Sequence, residues 1–204
     1  MTRAEARTVI TEALQRAYKR LRTPYGAALI AVSILCLLYP LFPELQFRLQ
    51  RASVDHPGLA RILPPSLRAP DTSTVPKTGN WLVIPAIGVR EEILEGPDLS
   101  VLNKKEGVWH QVGDISHNLV LAGHRFQYLP PNAHTFYNLN RLETGDIIII
   151  YWNATAQVYV VKITETVDSD QVSILNQNFS NQLTLYTCDS WAMTRRLVVI
   201  ATKK

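Results

Sequence analysis

Residues 146–167 read DIIIIYWNATAQVYVVKITETV and contain two long runs of strand-forming residues. Isoleucine, valine, tyrosine and tryptophan dominate these runs, and β-branched and aromatic residues are enriched in strands. Four shorter apolar runs lie at 81–84, 118–122, 183–187 and 196–201. Turn residues separate the runs, and many short strands with such signals between them favour a closed or nearly closed β-barrel. The same region has one short helical pattern, at 99–105.

Residues 23–43, TPYGAALIAVSILCLLYPLFP, form a stretch of 21 residues without a charged side chain. A helix of that length spans roughly 30 Å, which is the thickness of a bilayer core. Six basic residues precede the stretch and three follow it within 20 residues. The positive-inside rule therefore predicts a single-pass anchor with a cytoplasmic N-terminus and an extracytoplasmic C-terminal domain. A cleavable signal peptide is the alternative, but no small-x-small cleavage site precedes Glu44.

The basic excess of the chain belongs to its N-terminal tail. Residues 1–22 carry six basic and two acidic side chains, which leaves 15 of each in the remainder of the chain. A neutral domain has no overall electrostatic reason to bind a phosphate backbone, so nucleic acid is not an expected partner.

Composition also divides the chain into segments. Residues 44–78 are rich in proline, and such a stretch is typical of a semi-stiff spacer. The sequence thus predicts a cytoplasmic basic tail at 1–22, a transmembrane signal anchor at 23–43, an extracytoplasmic spacer at 44–78 and a β domain at 79–204.

The chain has two cysteines, Cys36 and Cys188. Cys36 lies inside the predicted span, so the two cannot pair with each other. Cys188 is then an unpaired thiol in an extracytoplasmic domain, which indicates an intermolecular disulfide, a reactive thiol or a buried inert cysteine. A thiol attacks only as the thiolate, so a reactive Cys188 needs a base or a cation close by.

Two side chains could supply that base and that cation. Of five histidines, His124 alone directly follows a predicted strand, and Gly123 before it permits a tight turn and the close approach of another chain segment. Arg195 and Arg196 open the last predicted strand. If that strand pairs antiparallel with 183–187, the short connection places its start beside Cys188, where an arginine could donate to an oxyanion. The phase of the following apolar residues favours Arg196 over Arg195.

Together these residues resemble the sortase family. Residues 184–188, TLYTC, match the family's TLxTC signature, and the Gly123-His124 pair and Arg196 stand before and after it in the family's order. The stretches 106–110 and 142–146 are similar to further family segments. The resemblance covers residues 79–204, and it implies an all-β fold: a closed eight-stranded β-barrel with short helices, preceded by an N-terminal transmembrane helix.

The resemblance also implies a cysteine transpeptidase reaction at the cell envelope. Cys188 would attack the Thr–Gly bond of an LPxTG-like sorting signal and form a thioacyl-enzyme, with His124 as acid and base and Arg196 stabilising the oxyanion. Thr187 stands in the family position that lines the substrate site, and Leu185 and Thr184 are expected to bind substrate beside it. The acceptor would be an amine, such as a lipid-linked peptidoglycan precursor or a pilin lysine. No metal and no cofactor are expected.

Two other classes of protein stay open at this point. An L,D-transpeptidase-like enzyme would also use a cysteine, to cross-link peptidoglycan, although the TLYTC run and the late Arg196 speak against it. A membrane-anchored β module that only binds a partner is the other alternative, and it needs neither Cys188 nor His124. Thiol alkylation separates the classes, because a catalytic cysteine reacts readily and a packing cysteine does not.

Overall fold

The computed structural model describes residues 11–12, 14–16, 18–19, 24–72, 76, 78–127, 136–190 and 192–204. The chain forms two compact units, which divide between Leu45 and Gln46. Most of the predicted cytoplasmic tail lies outside the described residues.

The first unit contains an apolar helix. Helix α1 spans Pro24–Leu38 and continues through a 3₁₀ turn, Tyr39–Leu41, into helix α2, Phe42–Asp55. The turn begins beside a proline, which lacks the N–H that the α-helical ladder requires. No residue of α1 is buried, and the run Pro24–Asp55 is long and apolar enough to cross a membrane by length and composition. An exposed apolar helix of this kind suggests a membrane anchor.

The second unit contains a closed barrel of eight strands, which confirms the predicted fold class. Its strands are β1 Asn80–Ile84, β2 Val89–Leu94, β3 Val108–Val112, β4 Asn118–Ala122, β5 Ile147–Trp152, β6 Thr155–Asp168, β7 Gln182–Cys188 and β8 Arg195–Lys203. Around the barrel they follow the order β1-β2-β3-β4-β7-β8-β6-β5. The connections contain helix α3, Pro57–Ile62, and short 3₁₀ helices at Pro65–Leu67, Pro85–Ile87, Leu99–Asn103, Phe136–Arg141 and Val172–Leu175.

Apolar side chains at alternate strand positions fill the barrel. In β5, Ile148 and Ile150 are fully buried, whereas Ile147 and Ile149 are only half-buried. This alternation is the period of two that a strand imposes on its side chains. Strand β4 differs, because all five of its residues are buried. Burial on both faces is typical of a strand with a parallel neighbour, and β4 pairs in parallel with β7.

The structure contains all six strands that the sequence predicts, and their ends shift by at most two residues. Strands β2 and β3 were not predicted. In β2 the charged residues Arg90, Glu91 and Glu92 interrupt the apolar pattern, and the strand is held by backbone pairing with β1 and β3. The predicted short helix is the 3₁₀ helix Leu99–Asn103, which Asp98 caps by accepting a hydrogen bond from the N–H of Ser100.

Within the second unit, residues 46–55 of helix α2 and the segment after them pack against the barrel. Arg51 forms an ion pair with Asp146 across 2.7 Å, and Gln50, on the same helix, is buried. Farther along, the Tyr151 hydroxyl donates a hydrogen bond to the carbonyl of Thr72.

These contacts bear on the predicted spacer at 44–78. The compact unit that holds the barrel begins at Gln46, and the spacer at 44–78 stays a prediction. These contacts are made by a few polar side chains with partners that are distant in sequence. The proline content on which the predicted spacer rests does not indicate such contacts. The assignment of residues 79–204 as the catalytic domain stays a prediction.

Candidate active site

Strands β4 and β7 run parallel, and a candidate residue follows or ends each of them. The register pairs Ala122 of β4 with Tyr186 of β7, and the N–H of Gly123 donates to the carbonyl of Tyr186 at 3.2 Å. Continued for two residues, this register sets His124 beside Cys188. The structure therefore brings these two predicted residues to the same end of the barrel.

The Thr187 side chain ties the two strand ends together. Its hydroxyl donates to the carbonyl of Gly123 at 2.7 Å, and the residue is only 2% exposed. The bond joins the residue before His124 to the residue before Cys188, so it resists sliding of one strand end past the other. The Thr187 hydroxyl is thus engaged by the protein itself, and the role of Thr187 in binding substrate stays a prediction.

Gly123 is required by the close approach of a buried ring. A Cβ added at Gly123 would lie 2.8 Å from Cδ2 of Phe136, and Phe136 is fully buried. The N–H of Phe136 also donates to the carbonyl of His124 at 2.8 Å. The chain segment that the sequence expected to approach this glycine is therefore the 3₁₀ helix Phe136–Arg141.

The His124 ring is partly withdrawn from solvent. Its Nε2 atom is buried and has no hydrogen-bond partner among the residues that the structure describes. Burial lowers the pKa of His124 below its ordinary value of 6.5, because desolvation disfavours the charged imidazolium. The imidazole is accordingly neutral in most molecules at neutral pH.

Arg196 is the cation next to the thiol. Strands β7 and β8 pair antiparallel, with Cys188 directly opposite Arg196, as the sequence analysis predicted for these strands. The Nη1 atom of Arg196 lies 3.9 Å from Sγ of Cys188 and donates to the carbonyl of Met193 at 2.9 Å. The second bond holds the guanidinium over the end of β7.

Arg195 points elsewhere. Its Nη2 atom donates to the carbonyl of Thr166 at 3.1 Å. In the antiparallel register of β6 and β8, Arg195 lies opposite Asp168. Successive side chains of a strand point to opposite faces, so only one of the two arginines can reach Cys188. The geometry agrees with the preference for Arg196, while its catalytic role stays a prediction.

The other two predicted substrate residues lie inside the barrel wall. Thr184 and Leu185 are both 0% exposed, and Leu185 belongs to the hydrophobic core. The Thr184 hydroxyl donates to Oδ1 of Asn118 at 2.8 Å. In this structure neither side chain reaches the surface where a peptide would lie, so the structure does not bring them to the site.

Two polar residues that the sequence analysis did not single out connect distant segments of the chain, Asn118 at the start of β4, away from the site, and Arg125 just after the end of β4, beside the site. Asn118 is fully buried, and its Nδ2 atom donates to the carbonyls of Ile174 and Asn176, each at 3.1 Å. Arg125, directly after His124, donates through Nη1 to the carbonyl of Asp189. Two features of the sequence could have pointed to them. Asn118 is an amide at the start of an apolar strand, and Arg125 is a basic side chain next to the candidate histidine.

The remaining described histidines do not join the site. His110 lies on β3, and its Nδ1 atom contacts Glu95 at 2.8 Å. His117 contacts Asp114 through Nδ1 at 3.1 Å, whereas His134 lies outside the described residues. Within the part of the chain that the structure describes, no three His, Cys, Asp or Glu side chains cluster closely enough to hold a metal ion.

Comparison with known proteins identifies similar sequences and structures. A family model described as the sortase domain matches residues 82–204. Sortase A from Corynebacterium diphtheriae, a lid mutant, is 25% identical, with 61% of this chain and 69% of that chain covered and a TM-score of 0.52. Sortase C1 from Streptococcus agalactiae is 27% identical, with coverages of 64% and 70% and a TM-score of 0.52. The pilus-related sortase C of Group B Streptococcus is 26% identical, with coverages of 64% and 69% and a TM-score of 0.53. A search of curated proteins gave no match.

Proposed function

The chain belongs to the sortase family, and on that basis we propose that it cleaves an LPxTG-like sorting signal between Thr and Gly and transfers the protein to an amine. The observation that carries this proposal is the position of Cys188. Its sulfur lies 3.9 Å from the Arg196 guanidinium on the neighbouring strand β8, and the neighbour on the other side, β4, ends two residues before His124. A thiol, an imidazole and a cation at one strand end are the groups that an acyl transfer through a thioester needs.

The first half of the reaction forms the thioacyl-enzyme. The Cys188 thiolate attacks the carbonyl carbon of the signal's threonine, a C–S bond forms, and the carbonyl oxygen becomes an oxyanion. The Arg196 guanidinium stabilises this negative charge, which develops only on the way to the tetrahedral intermediate. His124, as imidazolium, donates its proton to the leaving nitrogen as the C–N bond breaks.

The second half transfers the acyl group. The incoming amine attacks the thioester carbon, and neutral His124 accepts the proton that the nitrogen loses as the new amide forms. The Cys188 thiolate then leaves. The acceptor is an amine of the cell envelope, either a lipid-linked peptidoglycan precursor or a pilin lysine. The pilin acceptor is favoured by the similarity to a pilus-related sortase C.

A peptide assay tests this function directly. Full-length protein in detergent is mixed with an LPxTG-like peptide and an added amine, and the products and the intact protein are followed by mass spectrometry. We expect cleavage after threonine and an acyl adduct on Cys188, and Cys188→Ala as the matched control should give neither. Rapid alkylation of Cys188 without cleavage of any such peptide would instead favour the L,D-transpeptidase-like enzyme. Slow alkylation of Cys188, as expected for a buried structural cysteine, would favour the non-catalytic module.

The protein acts from a membrane anchor in this proposal. Residues 23–43 cross the bilayer once, the basic tail lies in the cytoplasm, and the barrel lies outside, where sorting signals arrive. The charge difference across the span supports this orientation. Protease added to intact spheroplasts should digest the chain beyond the span and spare residues 1–22, and a protected barrel would contradict the orientation.

A further inference from the structure

Arg125 directly follows His124, and its side chain crosses to the segment that follows Cys188. The side chain is only 11% exposed. A guanidinium is charged at any physiological pH and is costly to bury unless its donors are paired. The position of this buried charge, next to the main chain of Cys188, calls for a physical explanation.

The contacts of the Arg125 guanidinium join the two loops. Its Nη1 atom donates to the carbonyl of Cys188 at 3.4 Å and also to the carbonyl of Asp189. The same atom lies 3.6 Å from Oδ1 of Asp189, which makes an ion pair. Three acceptors on the loop after β7 thus bind one guanidinium nitrogen that belongs to the loop after β4.

The other side of the guanidinium is held as well. Its Nε atom donates to the carbonyl of Tyr137 at 3.4 Å, and its central carbon lies 5.2 Å from the ring centroid of Phe126. Burial lowers the pKa of Arg125, and the carboxylate of Asp189 opposes that shift. The planar fork of an arginine can serve acceptors on two sides at once, which a lysine ammonium on its flexible stem does less well.

We propose that Arg125 is a positioning residue, which directly follows His124 and holds Cys188 in productive geometry relative to it by binding the main chain at Cys188 and Asp189. The proposal rests on the proposed function, since it concerns the same two groups. Such positioning matters because proton transfer and thiol attack both require short distances between the reacting atoms, and small displacements lower the rate. The Arg125 guanidinium also attracts negative charge on the Cys188 sulfur.

Turnover by two Arg125 variants tests the proposal. In full-length protein in detergent, Arg125→Met removes both the charge and the fork, whereas Arg125→Lys keeps the charge alone. With an LPxTG-like peptide, we expect kcat to fall at least about tenfold in the methionine variant, with KM within about twofold of wild type. The lysine variant should lose less. A merely structural role would lower Tm and leave kcat of the folded enzyme unchanged.

Arg51→Met is the matched control, because Arg51 also forms an ion pair with an aspartate, Asp146, outside the loops that follow β4 and β7. It should lower Tm and leave kcat within about twofold of wild type. If kcat of Arg125→Met, measured below the Tm of that variant, also stays within twofold of wild type, the proposal is overturned. So would a rise in KM at constant kcat, which would make Arg125 a substrate-binding residue. If Arg125→Met does not fold, Arg125→Lys decides by the same limits.

Alkylation of Cys188 gives a readout that needs no sorting signal. Iodoacetamide modification at neutral pH is followed by peptide mass, which separates Cys188 from Cys36. We expect Arg125→Met to slow the reaction at least about threefold and Arg125→Lys to leave it near the wild-type rate, because the thiolate is the reacting form. Equal rates for wild type and Arg125→Met would overturn the action of Arg125 on Cys188. An inactive wild type would instead count against the proposed function, while the alkylation ratio still decides the role of Arg125.

Discussion

Replacing Arg196 with alanine should remove most of the activity, and replacing Arg195 should remove little. The Arg196 guanidinium lies 3.9 Å from Sγ of Cys188, next to the point where the oxyanion develops. Two unit charges at that separation interact by about 1 kcal/mol in bulk water and by about 4 kcal/mol at an effective dielectric constant near 20. The site is only partly exposed, so we expect a loss between these limits, roughly 10²-fold in kcat. That agrees with the ~10²–10³-fold effect of deleting one oxyanion donor.

The Arg195→Ala variant is the matched control. The hydrogen bond it removes, to the carbonyl of Thr166, contributes about 0.5–1.5 kcal/mol to folding, and kcat should stay within a few-fold of wild type. Steady-state kinetics on an LPxTG-like peptide measure kcat and KM, and thermal melts measure stability. Arg196→Lys, which keeps the charge without the fork, should fall between wild type and alanine. A larger loss of kcat in Arg195→Ala than in Arg196→Ala would refute the assignment of the two arginines.

Three further predictions follow from individual contacts. Burial lowers the pKa of His124, so an NMR titration of its ring should give a midpoint below about 6.5, the ordinary value. The midpoint should change little in Cys188→Ala, and a large fall there would reveal a stable thiolate–imidazolium pair in the wild type. Gly123→Ala places a Cβ 2.8 Å from the Phe136 ring, which should cost about 1–3 kcal/mol of stability and lower kcat; an unchanged melting temperature would mean that the ring moves freely. The Tyr159 hydroxyl is buried without a hydrogen-bond partner among the described residues, so Tyr159→Phe should stabilise the fold by about 1 kcal/mol, and a lower melting temperature would show that the hydroxyl is satisfied.

The strands that the sequence predicted share one property. Each is a run rich in strand-forming residues and long enough to show its pattern without reference to the rest of the chain, as in the isoleucines of β5. Strand β2, with its sequence VREEIL, lacks such a run and exists because neighbouring strands pair with it. Local pattern therefore predicts the buried strands well and misses a strand whose stability is supplied by its partners.

The candidate site divides in the same way. Cys188 stood out because it is the one cysteine outside the apolar span, and His124 because it follows a strand. The catalytic roles predicted for both remain to be tested. The burial of Thr184 and Leu185 was not visible in the TLYTC run, since a signature does not show which of its side chains face the core. The contacts of Arg125 with the loop after β7 join residues more than sixty positions apart, and no local pattern carries them.

The sequence by itself determined that the chain contains many short strands, that residues 23–43 are apolar and uncharged, and that the excess of positive charge lies in residues 1–22. These follow from residue composition and from periods of a few residues, which act locally along the chain. Only the tertiary structure decided that Arg196 rather than Arg195 faces Cys188 and that Arg125 links the two loops. It also decided that the compact unit begins at Gln46. Each of these depends on strand register or on a contact distant in sequence, and a shift of one residue in register exchanges the side chains on the two faces of a strand.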